Sequence, residues 1–431
     1  MNRCKLLVTG LCTAAMVSLG SAGASAESAQ IAAKTLEFLE ATVISGYAEA
    51  SYVYNIHRQI IGKNQHRHGD ADVAGGKFAG AGGANQLRAF DNNHGFTANG
   101  LKLVLEKPLG EGDWAAGYRA DLLFGKDAQQ LGRAEGSGSP FFDPEGDSPD
   151  AYGTYIEQVY VSFRVPVGNG VDFKFGRFVS LSGYEVIESP ANLNFSRGLL
   201  FTYATPIGHT GILGSYRFSD AFDAQLGLVN GWNTWIDDDA DPAIIARLGW
   251  RNPSGTASAG VSGYYGQARF VDNAYESAVT HSGERWFVDF VANVKPTEKV
   301  LIGFEALIGD QEGNDKLTDH NMWWGVAGYA KLQLTDTVHV AGRAEYLYDR
   351  NGFLYDDDHG TFDPTHEDAD TPIEVWELTG TLGIEVWKNL LVRFEVRYDQ
   401  ATTSKISSGD NPPFDPSNDQ LTLSADAVFS F

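Results

Sequence analysis

Cysteine, methionine and basic residues are scarce in this 431-residue chain, and the shortage of basic residues excludes a class of protein. There are 2 Cys and 3 Met, and 32 basic residues stand against 56 acidic ones, for a formal net charge of -24. A nucleic-acid-binding protein needs clustered Lys and Arg to displace counterions from phosphates, so that class is excluded. After the first 26 residues no apolar run is long enough for a membrane helix, which excludes a helical membrane bundle.

The first 26 residues are typical of a secretory signal peptide. Two basic residues precede an apolar stretch, and Ala24-Ser25-Ala26 fits the cleavage site. Both cysteines, Cys4 and Cys12, lie in this leader, so the exported chain is expected to have neither disulfides nor thiolate metal ligands. We predict a signal peptide at 1–26 and a short periplasmic segment at 27–42.

The rest of the chain alternates apolar and polar residues with a period of two. In the stretch 390–399 the polar positions are Arg393, Glu395, Arg397 and Asp399, with apolar residues between them. This period predicts β-strands with one apolar and one polar face. The 49 Gly, 18 Tyr and 25 Phe also favour strands over helices, so we predict an all-β protein.

The connections between these predicted strands fall into two length classes. Seven are short and rich in turn formers, eight are long and polar, and the two classes alternate along the chain. This arrangement predicts about sixteen strands over 43–431, with both termini on the short-turn side. Short periplasmic turns and long extracellular loops are typical of a transmembrane antiparallel β-barrel in the bacterial outer membrane, where its partners are lipid and lipopolysaccharide.

The polar face of each strand is expected to point into the lumen of this barrel. A lumen lined by charged side chains would be wet, and its fixed charges would act on a passing solute. The predicted pore-lining residues are Lys102, Arg119, Arg164, Lys174, Arg217, Arg247, Arg343, Arg393, Arg397, Glu305, Glu345 and Glu395.

The connection at 179–208 differs from the other long loops because it is rich in apolar residues. Leu199, Leu200, Phe201 and Tyr203 lie close together, which is unusual for an exposed loop. We predict that this loop folds into the lumen and narrows it, which would place three charged residues near the constriction: Glu185, Glu188 and Arg197. The alternatives are a packed extracellular lid and an extra pair of short strands.

The same region resembles the putative beta-barrel porin-2 (OmpL-like) family of outer-membrane proteins. The matching residues are Phe175-Gly176-Arg177-Phe178, Gly183-Tyr184-Glu185, Ser196-Arg197, Pro206 and His209-Thr210-Gly211. The resemblance implies a passive, porin-like barrel.

We find no pattern in the sequence that predicts a catalytic site, a bound metal or a cofactor. The acidic clusters at 237–241 and 356–370 lack the spacing of a calcium loop, and loose binding of Ca²⁺ or Mg²⁺ at the cell surface is the alternative to simple solvation. An outer-membrane hydrolase would need a Ser and a His together on the external face. His339 is expected at the periplasmic end of its strand, facing the lumen, and no Ser-containing nucleophile elbow accompanies His209.

The function predicted from the sequence is therefore that of a channel and not an enzyme. We predict an outer-membrane porin-like channel for passive diffusion of small hydrophilic solutes or ions, able to form a homotrimer. The alternative is a structural or adhesive barrel that binds a surface partner. The acidic loops predict mild cation preference at low salt, whereas dominance of the arginine-bearing wall would give anion preference.

Overall fold

The fold is described from a computed structural model of the chain. It describes residues 41–56, 85, 87–134, 153–236, 241–271, 280–312, 320–350, 352–354, 372–402 and 418–431. The predicted signal peptide at 1–26, most of the segment at 27–42 and both acidic clusters fall largely or entirely outside these residues.

Sixteen strands make up most of the described chain, as the alternation predicted. Their bounds are β1 Val43–Asn55, β2 Gly95–Lys107, β3 Ala115–Gly125, β4 Gly153–Val165, β5 Val171–Val179, β6 Gly208–Arg217, β7 Phe222–Val229, β8 Ala243–Arg251, β9 Ala257–Val271, β10 Thr280–Thr297, β11 Val300–Glu312, β12 His320–Gln333, β13 Val338–Asp349, β14 Ile373–Trp387, β15 Leu390–Ala401 and β16 Asp419–Ser430.

The strands close into one antiparallel barrel. Each strand pairs with its sequence neighbours, and β1 pairs with β16 in a register that places Tyr47 opposite Ser430. The backbone of Gly46 and Phe431 also bonds across this seam, so the last residue of the chain is tied to the first strand. Closure leaves no free sheet edge, which satisfies the backbone of every strand inside a lipid bilayer.

The connections confirm the predicted alternation of length. Seven short turns link the strands at one end of the barrel, and eight longer connections link them at the other. The beginning of β1 and the end of β16 both lie at the short-turn end. We take this as the periplasmic end and the other as the extracellular end, following the usual arrangement of such barrels.

Side-chain burial alternates along the strands in the predicted register. In β15, Arg393 and Arg397 are buried, whereas Phe394 and Val396 between them are 50% and 45% exposed. The exposed apolar residues face lipid and the buried charged ones face the lumen. Since these charged residues of the inner wall are buried, other parts of the chain must fill the lumen beside them.

Several extracellular connections fold inward and supply that shielding. Helix α1, Lys126–Ala134, packs against β2, β3 and β4 and buries Ala128 and Leu131. Its cluster includes Phe90, which contacts Phe201 of the β5–β6 connection, with ring centres 6.1 Å apart. No helix in the described part of the chain has the length and apolar character needed to cross a membrane.

Candidate functional site

The connection between β5 and β6, residues 180–207, lies inside the barrel, and we call it the inserted segment. Near its start the amide of Gly183 donates to Asp289 of β10 (2.8 Å), and farther on Asn194 donates to Thr381 of β14 (2.8 Å). Between them the hydroxyl of Ser189 donates to Glu49 of β1. The segment therefore reaches strands on widely separated parts of the wall, which confirms that this loop folds into the lumen.

Carboxylates of the wall accept hydrogen bonds from the backbone of the inserted segment. Glu305 accepts from the amide of Tyr184 (3.1 Å), and Glu395 accepts from the amides of Phe195 (2.8 Å) and Ser196 (3.1 Å). Glu345 accepts from the amide of Leu199. Apart from a short 3₁₀ helix, Ser189–Ala191, and a π-helical turn, Leu200–Ala204, the segment has no regular secondary structure. The free amides of such a segment are satisfied more strongly by charged acceptors than by neutral ones.

Guanidinium groups of the wall bind the carbonyls of the same segment. Arg343 donates to the carbonyl of Ser196 (2.7 Å), and Arg397 donates to the carbonyl of Arg197 (2.5 Å). Arg393 donates to three segment carbonyls, those of Ser189, Asn192 and Asn194, at 3.0 to 3.2 Å. Each guanidinium has five N–H donors, so it can hold the segment and a wall carboxylate together.

Those wall carboxylates lie beside each arginine. Arg343 pairs with Glu377 (2.7 Å), Arg393 with Asp426 (2.8 Å) and Arg397 with Asp399 (2.7 Å). The three arginines and their partners are almost completely buried. Since a buried charge is costly unless it is paired and fully hydrogen-bonded, these residues form a docking surface for the segment.

Apolar packing complements this docking. The ring of Tyr184 stacks on that of Tyr329 of β12, with centres 3.9 Å apart and planes 12° apart. Leu200 packs against Gly325 so closely that any Cβ at this glycine would overlap the leucine. Leu199, Leu200, Phe201 and Tyr203, the residues that suggested insertion, are all buried.

The three predicted constriction residues differ in their surroundings. Glu185 pairs with Arg343 (2.6 Å), and Arg197 donates to carbonyls of its own segment, including that of Phe195 (2.7 Å); both are buried. Glu188 pairs with Lys102 (2.7 Å), and its side chain is 29% exposed. Of the three, Glu188 is thus the one whose side chain is partly accessible.

The ammonium of Lys102 lies among three carboxylates. Asp121, Glu157 and Glu188 approach it to 3.3, 2.7 and 2.7 Å, and their own oxygens lie within 4.8 Å of one another. Burial would raise the pKa of Glu188, but attraction to Lys102 and hydrogen bonding outweigh it and lower that pKa to about 2. The lysine supplies the positive charge that a metal ion would bring to such a cluster.

The predicted pore-lining residues fall into two sets. Lys102, Arg343, Arg393, Arg397, Glu305, Glu345 and Glu395 are buried where the inserted segment meets the wall. The rest lie toward the periplasmic end on β3 to β8 and keep accessible side chains: Arg119, Arg164, Lys174, Arg217 and Arg247. Only the second set lines accessible space, and its role in conduction stays a prediction.

Two cavities lie where the inserted segment meets the wall of β8 to β12. One, of about 130 Å³, is lined by Gly183, Arg247, Ser258 and Asn293 among others. The other, of about 230 Å³, is lined by Tyr184, Glu185, Asn192 and Leu301 among others. Polar groups thus remain accessible under the segment.

Sequence reasoning missed Glu157 as a lumen residue. The pairing of β3 with β4 shifts register after Asp121, which leaves Glu157 as an extra residue between Gln158 and Ile156. A strict period of two would direct it to lipid, whereas the bulge returns it to Lys102 in the lumen. In the sequence, a carboxylate on the otherwise apolar face of β4 was the feature that could have indicated this bulge.

These features define a class: an outer-membrane β-barrel with a loop docked inside its lumen. The family model described as "Putative beta-barrel porin-2, OmpL-like" matches residues 43–431. The chain belongs to this family, and it is a porin-like channel of the bacterial outer membrane.

Solved structures share the fold at low sequence identity. The outer membrane channel DcaP of Acinetobacter baumannii has a TM-score of 0.54 and 12% identity, with 90% of this chain and 97% of that one covered. An anion-selective porin from Comamonas acidovorans (0.54, 11%) and the trimer form of OmpT from Vibrio cholerae (0.54, 9%) each cover 90% of this chain and 99% of their own. No curated protein matches the sequence.

Proposed function

We propose that this channel conducts small hydrophilic solutes and ions by passive diffusion, and that the inserted segment forms its narrowest section. The observation that supports this most is the docking of the segment by Arg343, Arg393, Arg397 and the neighbouring carboxylates. A loop fixed to the wall from within narrows the lumen and leaves the rest of it as an aqueous path.

Within this proposal the predicted constriction residues have separate roles. Glu188 faces the solute, because its side chain is partly exposed. Glu185 and Arg197 shape the segment, since one bonds the amide of Gly198 (2.6 Å) and the other bonds carbonyls of residues 186, 187 and 195. Replacing Glu188 should therefore change conduction without unfolding the segment, whereas replacing Arg197 should disturb its shape.

Planar-bilayer recording of the full chain tests the proposal. Stepwise, ohmic current increments are expected after insertion. A protein that folds and inserts, shown by a heat-dependent change in gel mobility, but passes no current would contradict it. Protein-free bilayers exposed to the same detergent provide the control.

One observation favours a second candidate, a structural barrel with no conducting path. In the extracellular half of the lumen, residues such as Phe287, Trp323 and Leu347 are buried together in an apolar cluster with the segment residues Leu199 and Leu200. A barrel filled in this way could act as a scaffold for surface loops. The same recording decides between the two, because only the channel carries current.

We also propose that the chain forms homotrimers and has no catalytic role or cofactor. Support for a trimer is limited to the shared fold, since OmpT has been solved in a trimer form. Light scattering of the detergent-solubilised protein should give three times the mass of one chain. The mass of a single chain would contradict the trimer and leave the channel proposal intact.

A further inference from the structure

On β2 to β8, the accessible part of the lumen wall carries more positive than negative charge. On the inner faces of β2 to β8, toward the periplasmic end, three carboxylates keep accessible side chains: Glu106, Asp172 and Asp223. Six bases on the same surface are accessible: Arg119, Arg164, Lys174, Arg217, Arg247 and Arg251. We call this surface the basic wall.

The carboxylates of the basic wall are already engaged. Asp172 forms a two-point pair with Arg164, at 2.6 and 2.8 Å. Asp223 pairs with Arg247 (2.9 Å) and lies 3.8 Å from Arg251. The third, Glu106, lies 3.5 Å from Arg119. Every accessible acid on this surface is thus matched by at least one base.

Two of the bases have no such match. Among the described residues no carboxylate forms an ion pair with Lys174 or Arg217. The ammonium of Lys174 lies 4.8 Å from the centre of the Tyr160 ring, a contact that holds it without neutralising it. Arg217 is exposed at the end of β6, the strand that pairs with the strand of Lys174.

The inserted segment does not cancel this excess. Its two carboxylates, Glu185 and Glu188, are paired with Arg343 and Lys102 at 2.6 and 2.7 Å. The cavity beside Arg247 adds neutral Ser258 and Asn293. Asp289 also lines it, but this carboxylate is buried and accepts a hydrogen bond from the amide of Gly183. A solute passing under the segment therefore meets a surface of net positive charge.

We infer that this channel prefers small anions, and that Lys174 and Arg217 set the preference. The inference rests on the proposed channel function and names its substrate class. Charges on the wall of a narrow aqueous path act at short range, whereas charges beyond about 8 to 10 Å are screened at physiological salt. The acidic clusters of the sequence, which predict cation preference, lie largely outside the described residues, and screening should limit their effect to low salt.

Reversal potentials of the full chain under a KCl gradient test this inference. At physiological salt and above, the wild-type channel should have a chloride-to-potassium permeability ratio above one. Lys174→Gln and Arg217→Gln should each lower this ratio, and the double variant should bring it to one or below. Lys174→Arg keeps the charge and should retain the ratio.

Lys388→Gln is the matched control. It removes the same charge from an exposed position in the periplasmic turn between β14 and β15, on the far side of the barrel. Its ratio should equal that of the wild type. A wild-type channel that prefers potassium at physiological salt, or an equal loss in Lys388→Gln, would overturn the inference. An inserted protein that passes no current would instead overturn the proposed channel function.

Discussion

Arg393 and Arg247 show how the lumen wall that contacts the inserted segment differs from the basic wall. Both point inward, and both pair with an aspartate on a neighbouring strand, Asp426 at 2.8 Å and Asp223 at 2.9 Å. Arg393 is completely buried and also holds three carbonyls of the inserted segment, whereas the side chain of Arg247 is 32% exposed. An Arg–Asp pair thus docks the segment where it is buried, and contributes fixed charge to the aqueous path where it is exposed.

Burial determines how much each of these ion pairs contributes to the stability of the fold. A buried ion pair loses its hydration, so its stability depends on every remaining hydrogen bond, including those to the segment. An exposed pair keeps water as an alternative partner and contributes little to stability. Mutations at the two sites should therefore separate stability from conduction.

The largest effect is expected from Arg393→Met compared with Arg247→Met. Loss of Arg393 leaves buried Asp426 and Glu49 without a cation and three carbonyls without a donor, which should reduce the free energy of unfolding by about 3–5 kcal/mol. Arg247→Met should cost less than about 1 kcal/mol. Urea unfolding in lipid vesicles, followed by tryptophan fluorescence, measures both.

Single-channel conductance provides a second comparison of the Arg393→Met and Arg247→Met variants. Arg393→Met should increase single-channel conductance and current noise, because the segment is released. Arg247→Met should leave the segment in place and shift only the ion preference. Equal losses of stability in the two variants would show that Arg393 is not a docking residue.

A smaller effect is expected from Gly325→Ala compared with Gly328→Ala, two glycines of β12. A methyl group at Gly325 would overlap Leu200 of the segment, whereas the space beside Gly328 is open. The first change should cost about 1–3 kcal/mol through overpacking, and the second should stay within about 0.5 kcal/mol. Similar unfolding curves for the two would mean that Leu200 does not pack here.

The smallest effect concerns pH and the pair of Glu188 with Lys102. The pKa of Glu188 is lowered to about 2, while an unfolded glutamate titrates at about 4.3. The pair's contribution to stability should be fully present above about pH 5 and should be lost as pH falls through about 2. The difference in Tm between wild type and Glu188→Gln should thus shrink as pH falls below about 5. A difference that stays unchanged between about pH 6 and 3 would contradict this assignment.

The barrel was predictable from the sequence because its signals are local. Alternation along 390–399 and the turn chemistry of the short connections depend only on neighbouring residues, and they located the strands and their inward faces. The apolar residues around Leu200 likewise predicted an inserted loop.

The docking partners were not predictable, because they depend on closure of the whole barrel. Ser189 and Glu49 are 140 positions apart and meet only when β1 closes on β16. Pattern alone also could not show that Arg343 and Arg397 bind the segment while Lys174 and Arg217 remain accessible, since all four occupy the same face of their strands. The bulge at Glu157 shows how one extra residue defeats a strict period of two.

The central claim, that the inserted segment restricts the aqueous path from within, is tested most directly by removing it. Val179 ends β5, Gly208 begins β6, and the two residues are paired, so residues 183–204 can be replaced by a short Gly-Ser linker without breaking the barrel. Single-channel conductance of this variant, measured beside the wild type in the same bilayer and salt, should rise clearly. An unchanged conductance in a folded, inserted barrel would contradict the account.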